Sequence, residues 1–183
     1  PNALWIASMG RLDPLKHFEW LLQIIAKLGD KHSNIHLVLI GDGPERTRLE
    51  TLAEGLDLTG NVTFTGEVPM ASTWLKAMDI FTFPSVDEGM PNVILEAAAA
   101  GLPIVAWRLP FYQELLTNAH TALLVDPYNQ NQMLAALNTL IDSPELRRSL
   151  GQAARHHILT SFSLERYVNE MTHVYETVLG ERT

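Results

Sequence analysis

Residues 80–103 read IFTFPSVDEGMPNVILEAAAAGLP, and this stretch decides the fold. The apolar run that ends at Pro84 predicts a strand. Pro91 is placed to begin a helix, because a proline in the first helical turn gives up no hydrogen bond. The helix is expected to run through the alanine-rich segment to Gly101, a typical residue at a helix end. A strand, a loop and a helix in this order indicate an α/β fold.

Two acidic residues, Glu88 and Glu96, lie eight positions apart on either side of the predicted helix start. The free N–H groups at a helix start bind anions, and Gly89 lets a ligand approach the backbone. Glu96 has apolar neighbours, which argues against a solvated helix face, and its side chain leans back toward the helix N-terminus. This arrangement predicts a ligand with phosphate groups, bound by the amides, and hydroxyls, bound by the acids.

Short β-rich runs alternate with longer helical stretches along the whole chain. The predicted strands are Ala3–Ser8, Ile35–Ile40, Val62–Phe64, Ile80–Phe83, Ile104–Ala106 and Ala122–Val125. The predicted helices are about Lys16–Leu28, Pro44–Leu56, Met70–Ala77, Pro91–Ala100, Phe111–Leu116, Asn129–Ile141, Pro144–Thr160 and Leu164–Leu179. This alternation predicts one domain over residues 1–183: α/β, with a single doubly wound parallel sheet and a helical C-terminal tail over 163–183. Ligands of such sheets bind at the carboxyl ends of the strands.

The composition limits the function further. With 46% hydrophobic and 19% charged residues among 183, the chain is globular, and its net charge of −8 argues against nucleic acid as a partner. It has no cysteine, its seven histidines lack metal-ligand spacing, and no apolar run reaches the length of a membrane span. We therefore expect no metal site, no transmembrane segment and a cytoplasmic location. A strand-like run from the first residues, without Met, leads us to expect an excised domain.

Two cations follow the first predicted strand, at the ligand edge of the sheet. Arg11 offers a planar fork of donors and Lys16 a mobile point charge, and both suit a phosphate group. The alternative is a pair of solvated surface cations. However, Lys16 near a helix start opposes the helix dipole, and this is better explained if an anion binds there.

A second glycine-containing loop, Gly41-Asp42-Gly43-Pro44, follows the second predicted strand. It holds only a fragment of a dinucleotide-binding fingerprint and follows the wrong strand, which argues against a nicotinamide-dependent oxidoreductase. We expect a tight turn, with Pro44 at the first helical position, that still lines the ligand pocket.

Four motifs occur together and in order: Gly10-Arg11-Leu12-x-x-x-Lys16, Gly41-Asp42-Gly43-Pro44, Phe64-x-Gly66-x-Val68, and the stretch from Pro84 to Ala97 that carries both glutamates. Together they resemble the C-terminal domain of GT-B glycosyltransferases of the group 1 type, also called glycosyltransferase family 4. The resemblance covers nearly the whole chain, and it implies the Rossmann-like half of a GT-B fold.

The resemblance implies roles for the matching residues in binding a nucleotide-diphosphate sugar. Arg11 and Lys16 would hold the diphosphate, and the backbone near Val68 would recognise the base. Glu88, the catalytic candidate, would position the donor sugar, and Glu96 would bind the ribose hydroxyls. The implied donor-binding residues are Gly10, Arg11, Lys16, Val68, Glu88, Gly89, Met90, Pro91, Asn92, Val93 and Glu96.

The resemblance also implies retaining transfer of a hexose from a donor such as UDP- or GDP-hexose to a glycan or lipid-linked acceptor, in polysaccharide biosynthesis, without a metal ion or other cofactor. The family's N-terminal acceptor domain is missing, so we expect this chain alone to be inactive. We expect the tail to expose an apolar patch that packs toward that domain. The full-length protein would lie in the cytoplasm or at the inner face of a membrane. The alternatives are a non-catalytic nucleotide-sugar-binding domain and another GT-B sugar enzyme, such as an epimerase or a phosphorylase.

Two positions depart from the family pattern. His17 follows the lysine where the family usually has glycine, and we expect it to narrow the mouth of the phosphate site. Residues 108–114 replace the frequent Gly-Gly turn before a glutamate in the loop after the fifth strand. We also expect the four tryptophans in the core, because their neighbours are apolar: Trp5, Trp20, Trp74 and Trp107.

Overall fold

The computed structural model describes residues 3–180. Within this range one sheet holds six parallel strands in the spatial order β3-β2-β1-β4-β5-β6. The strands are β1 (Leu4–Met9), β2 (Ile35–Ile40), β3 (Val62–Phe64), β4 (Ile80–Phe83), β5 (Ile104–Trp107) and β6 (Leu123–Val125). The α-helices are α1 (Phe18–Gly29), α2 (Arg46–Gly55), α3 (Asn92–Ala100), α4 (Pro110–Gln113), α5 (Gln130–Asp142), α6 (Pro144–Ser161) and α7 (Leu164–Gly180), and Pro14–Lys16 and Ala71–Ala77 form 3₁₀ helices.

The strand order reverses between β1 and β4. From β1 the chain moves outward to β2 and β3, and it then returns to place β4 on the opposite side of β1. The loops after β1 and β4 therefore diverge from the carboxyl edge and leave a crevice, which is where ligands bind in open α/β sheets. The predicted fold class is confirmed, and the loop that carries Glu88 lies at this switch point.

The strands of the sheet's centre are apolar along their length, as expected when helices cover both faces. Ile6, Leu37, Phe81 and Ile104 are fully buried, one from each of four adjacent strands. Trp107 is the largest fully buried side chain among residues 3–180 and extends this core to the end of β5.

The helix predicted from Lys16 is interrupted. Pro14–Lys16 form a 3₁₀ turn, and His17 has a left-handed backbone with φ of +50°, so α1 begins only at Phe18. This conformation favours glycine, the residue that the resemblance leads us to expect at this position.

The helix predicted from Pro44 also begins later, at Arg46, and Pro44 lies in a turn. The turn is held against the first loop, because a β-carbon on Gly43 would lie 2.4 Å from the Leu12 carbonyl oxygen. The Glu45 N–H donates to that same oxygen at 3.0 Å. This tertiary contact keeps the chain in a turn before α2 starts.

Smaller corrections concern α3 and one tryptophan. Pro91 caps α3 from outside rather than opening it, whereas Gly101 ends the helix in a left-handed conformation as predicted. Trp74 was expected in the core but is 42% exposed. It lies in a 3₁₀ segment, where Leu75 is the buried residue.

The two C-terminal helices pack differently. Helix α6 packs on α3 so closely that a β-carbon on Gly151 would lie 2.0 Å from the Gly101 carbonyl oxygen. Helix α7 has no buried residue. It exposes Leu164, Tyr167, Val168, Val174, Tyr175, Val178 and Leu179, which confirms the predicted apolar patch. None of the helices within residues 3–180 has the length and apolar character needed to span a membrane.

Candidate functional site

The loop after β1 brings the two predicted cations to the carboxyl edge of the sheet. The Asp13 carboxylate accepts a hydrogen bond from the Leu15 N–H at 3.1 Å and so caps the 3₁₀ turn that ends at Lys16. The Lys16 ammonium consequently lies 5.6 Å from the centre of the Phe83 ring, at the end of β4. Arg11 is exposed, and its guanidinium makes no hydrogen bond or ion pair with residues 3–180.

An ion pair joins the two loops across the switch point. Lys16 Nζ binds the Glu88 carboxylate, and only 15% and 14% of these side chains are exposed. Lys16 Nζ also lies 3.5 Å from Ser85 Oγ, and the Val86 N–H donates to the Leu15 carbonyl at 3.3 Å. The structure therefore brings together Lys16 and Glu88, as the sequence predicts, and adds Ser85 to them.

The N-terminus of α3 follows this loop. Gly89 and Asn92 are exposed, Val93 is half-buried, and Pro91 is buried. The side chain of Met90 lies on a different surface, since it lines a cavity of about 680 Å³ between α3 and α7. At the switch point, only the backbone of Met90 would therefore be able to contact a ligand.

Glu96 lies in the second turn of α3 and is half-buried. Desolvation by burial raises the pKa of its carboxyl group above the ordinary value. The carboxylate makes no hydrogen bond or ion pair with the part of the chain that the structure describes. A carboxylate in this state gains from accepting hydrogen bonds from ligand hydroxyls.

A cleft of about 350 Å³ lies beside the switch point, between the ends of β1 and β2 and the loop after β3. Its lining includes Gly10, Arg11, Gly41, Asp42, Glu67 and Val68. Gly41 has φ of +133°, and a β-carbon there would lie 2.2 Å from the Gly10 carbonyl oxygen, so only glycine fits. The second glycine loop lines this cleft through Gly41 and Asp42, and the binding of a ligand there stays a prediction.

The charges in this cleft are compensated unequally. The Asp42 carboxylate accepts from the Gly43 N–H at 2.7 Å and pairs with Arg46 at 3.0 Å. These contacts, the backbone hydrogen bond first, lower the pKa of Asp42. Among the described residues that line the cleft, Arg11 alone is positively charged. Its guanidinium has no hydrogen bond or ion pair with residues 3–180.

His17 does not line this cleft, and its narrowing of the mouth of the phosphate site stays a prediction. Its ring stacks on Trp20, with centres 4.6 Å apart and planes inclined by 22°, and its edge approaches Tyr128 at 6.1 Å. These contacts direct the imidazole toward α1, and His17 is absent from the cleft lining.

Sequence reasoning missed several residues of this region. Ser85 lies in the loop that carries Glu88, three positions before that glutamate. The sequence predicts Trp107 in the core but gives no sign that Trp107 or Tyr112 contacts the Glu88 loop, because these contacts join residues more than twenty positions apart. Within residues 3–180, no three His, Cys, Asp or Glu side chains could hold a metal ion. Independence from metal stays a prediction.

Residues 2–157 match the family model described as Glycosyl transferases group 1. The chain belongs to this family. LpsD of Rhizobium meliloti (strain 1021), a lipopolysaccharide core biosynthesis glycosyltransferase, is 32% identical over 181 residues, which cover 99% of this chain and 52% of LpsD. The chain spans about half the length of the relatives it matches. It is therefore similar to one part of a group 1 glycosyltransferase.

Two solved structures share the fold of this chain. The C-terminal domain of LpcC, a group 1 family protein from Francisella tularensis, superposes with a TM-score of 0.81 at 23% identity, covering 90% of this chain and 88% of that one. HepE from Anabaena, solved with UDP and glucose, superposes with a TM-score of 0.88 at 21% identity, covering 96% of this chain and 49% of HepE. The α/β domain of this chain thus has the same fold as the C-terminal domain of LpcC and as one part of HepE.

Proposed function

We propose that this chain is the donor-binding half of a retaining glycosyltransferase, which transfers a hexose from a nucleotide-diphosphate sugar to a glycan or lipid-linked acceptor. The observation that carries the proposal is the ion pair of Lys16 and Glu88 at the switch point of a group 1 glycosyltransferase domain. Arg11 lines the neighbouring cleft, and Glu96 lies in the second turn of α3, the helix that follows the Glu88 loop.

The two cations suit the diphosphate. Transfer breaks the bond between the sugar's anomeric carbon and a phosphate oxygen, and the bonding electrons stay on the diphosphate. Arg11 lines the cleft and makes no hydrogen bond or ion pair with residues 3–180, and Lys16 lies farther along the same loop, at the crevice. Cations fixed at this point stabilise the charge that develops on the leaving group, without a metal ion.

Glu88 suits the sugar. Its ion pair with Lys16 holds the Glu88 carboxylate at the switch point, beside the Ser85 hydroxyl. A hexose seated there would donate its hydroxyls to the carboxylate while Lys16 contacts the diphosphate. Glu88 would accordingly position the donor sugar, and the backbone at the start of α3, from Gly89 to Val93, would contact the sugar and phosphate.

The nucleoside would occupy the neighbouring cleft. The cleft of about 350 Å³ includes Gly41 and Val68 in its lining, and the backbone of Val68 makes no hydrogen bond with residues 3–180 that a base would have to displace. Glu96, whose pKa is raised by burial, would accept hydrogen bonds from the ribose hydroxyls. That HepE was solved with UDP supports a pyrimidine nucleotide as the first ligand to test.

Helix α7 supports the proposed partner. Its exposed apolar side chains have no cover within residues 3–180, and the chain spans about half the length of its relatives. We propose an acceptor-binding domain as the second half of the enzyme, in contact with this helix.

Calorimetric titration tests the proposal. The chain is expected to bind at least one of UDP, GDP and ADP, and to bind the matching nucleotide hexose without transferring the sugar. Lys27→Ala, which removes an exposed cation at the far end of α1, serves as the control and should leave the affinity unchanged. Absence of binding by all three at millimolar concentration would contradict the proposal.

A second experiment tests the alternative of another GT-B sugar enzyme. Appearance of an epimer when UDP-N-acetylglucosamine is incubated with the chain and followed by proton NMR would favour an epimerase.

A further inference from the structure

Two buried aromatic side chains bind the backbone of the loop that carries Glu88. Trp107 Nε1–H donates to the Pro84 carbonyl at 2.7 Å, and the Tyr112 hydroxyl donates to the Ser85 carbonyl at 3.1 Å. Both aromatic side chains are fully buried. Two consecutive carbonyls of one loop are therefore held from the same side by neighbouring elements, the end of β5 and helix α4.

These hydrogen bonds replace the backbone hydrogen bonds to neighbouring strands that Pro84 and Ser85 would make inside the sheet. Beyond Phe83 the chain leaves the sheet, yet Pro84 and Ser85 remain buried, and a buried carbonyl without a partner is costly. The Val86 N–H then donates to the Leu15 carbonyl on the other side of the crevice. The loop is thus fixed at three successive residues before it reaches Glu88.

Packing fixes the two donors in turn. The Trp107 ring meets the edge of Trp20 at 5.8 Å, and the Tyr112 ring meets Phe111 at 4.5 Å and Phe83 at 6.4 Å. Burial, followed by the nearby Glu88 carboxylate, raises the pKa of the Tyr112 hydroxyl, which keeps it protonated and able to donate. Tyr112 is therefore linked to the Glu88 loop in two ways: its hydroxyl binds the Ser85 carbonyl, and it lies near the Glu88 carboxylate.

Tyr112 comes from the segment that differs from the family pattern. Residues 108–114 have no Gly-Gly turn; instead Pro110 opens the short helix α4, and the Tyr112 N–H donates to the Leu109 carbonyl at 3.0 Å. This local structure points the ring inward to the Ser85 carbonyl.

We propose that Trp107 and Tyr112 are positioning residues, which hold the loop of Ser85 and Glu88 against Lys16 so that the sugar of a bound donor meets a carboxylate already in place. The proposal rests on the function proposed above for Glu88. It assigns a role in sugar binding to two side chains that themselves touch no ligand.

Hydrogen exchange in the ligand-free chain tests the first part of this proposal. Tyr112→Phe removes one hydroxyl and keeps the ring, and the amides of residues 85–90 should then exchange roughly threefold to tenfold faster, as expected for a lost neutral hydrogen bond. Tyr128→Phe is the matched control, since its hydroxyl is exposed and makes no hydrogen bond with residues 3–180. Unchanged exchange, or equal acceleration over the whole chain, would overturn the proposal.

Ligand titration tests the second part. In Tyr112→Phe the affinity for UDP-glucose should fall roughly threefold or more while the affinity for UDP stays the same, because only the sugar meets Glu88. Equal losses for both ligands, or no loss for either, would overturn the positioning role. Trp107→Phe should repeat the pattern with a larger loss of stability.

The two experiments separate this inference from the proposed function. If the unmodified chain binds no nucleoside diphosphate, the proposed function fails and the sugar-positioning role fails with it, whereas the exchange experiment still decides whether the two aromatic side chains hold the loop.

Discussion

The crevice between β1 and β4 and the cleft between β1 and β2 hold their charges in different ways. In the crevice, Lys16 and Glu88 are largely buried and paired with each other, with Ser85 alongside. In the cleft, Arg11 is exposed and has no partner within residues 3–180. The ion pair of Lys16 and Glu88 therefore helps to hold the two loops of the crevice together. Arg11 makes no comparable contact that would hold the cleft.

This difference separates two kinds of site residue. A paired, buried charge contributes to folding as well as to binding, and its removal leaves its partner without compensation. An unpaired, exposed charge contributes to binding alone. The same substitution is therefore expected to give different results in the two regions, and four measurements compare them.

The largest effect is expected in the crevice. Lys16→Met keeps the length of the side chain and removes its charge, which leaves the Glu88 carboxylate buried without a partner. The free energy of unfolding should fall by about 3 kcal/mol. Urea denaturation followed by circular dichroism measures this.

A double-mutant cycle provides the control for Lys16→Met. If the pair is the cause, Lys16→Met combined with Glu88→Gln should recover much of the lost stability. Additive losses in the double variant would mean that the two side chains stabilise the fold independently, and the contrast between the regions would lose its basis.

The next effect is expected in the cleft. Arg11→Ala should weaken the binding of a nucleoside diphosphate by about 2 kcal/mol, the contribution of a charged hydrogen bond. The free energy of unfolding should change by less than about 0.5 kcal/mol, as for other exposed positions. Arg148→Ala on α6 is the matched control, since that side chain is also exposed. A stability loss in Arg11→Ala comparable to that of Lys16→Met would contradict the distinction.

Substitution of Glu96 tests whether a half-buried but unpaired charge on α3 affects stability, as in the crevice, or binding alone, as in the cleft. Because burial raises its pKa in the folded state, the folded chain binds more protons, and stability should fall as the pH rises above 4.5 through the folded pKa. Below pH 4.5 this loss is absent. Glu96→Gln should lack this component of the pH dependence and should bind the nucleotide about 1 kcal/mol more weakly. Thermal unfolding of both proteins between pH 4 and 7 gives the comparison, and identical pH profiles would refute it.

The smallest effect is expected at Asp42. Its lowered pKa comes from a hydrogen bond and an ion pair at the surface, where solvent and salt screen the charges. Asp42→Asn should leave the unfolding transition unchanged at physiological salt. A clear destabilisation would show that the cleft, like the crevice, depends on an internal ion pair.

Much of the site was predictable, because short motifs at strand ends meet at one edge of a parallel sheet. Glu88 and Lys16 are 72 positions apart, yet each follows a strand and was placed at the ligand edge for that reason. The motif also pointed to Glu96 within its apolar helix. What the motif did not contain was the pairing itself, since which charges compensate each other depends on distances across the crevice.

The contact between Tyr112 and Ser85 could not be predicted from the sequence. The sequence marked residues 108–114 as a departure from the family pattern but gave no direction for any side chain. The hydroxyl finds the Ser85 carbonyl only because β4 and β5 are neighbours in the sheet and α4 turns the ring inward.

The sequence by itself determined the elements and their order, because hydrophobic periodicity, prolines and glycines act locally. It also determined the amphipathic character of both α6 and α7. Only the tertiary structure decided that α6 packs on α3 while the apolar face of α7 stays exposed. It also decided that, within residues 3–180, Lys16 forms an ion pair and Arg11 does not. Burial and pairing depend on distances between segments remote along the chain, and these distances are fixed only when the sheet has assembled.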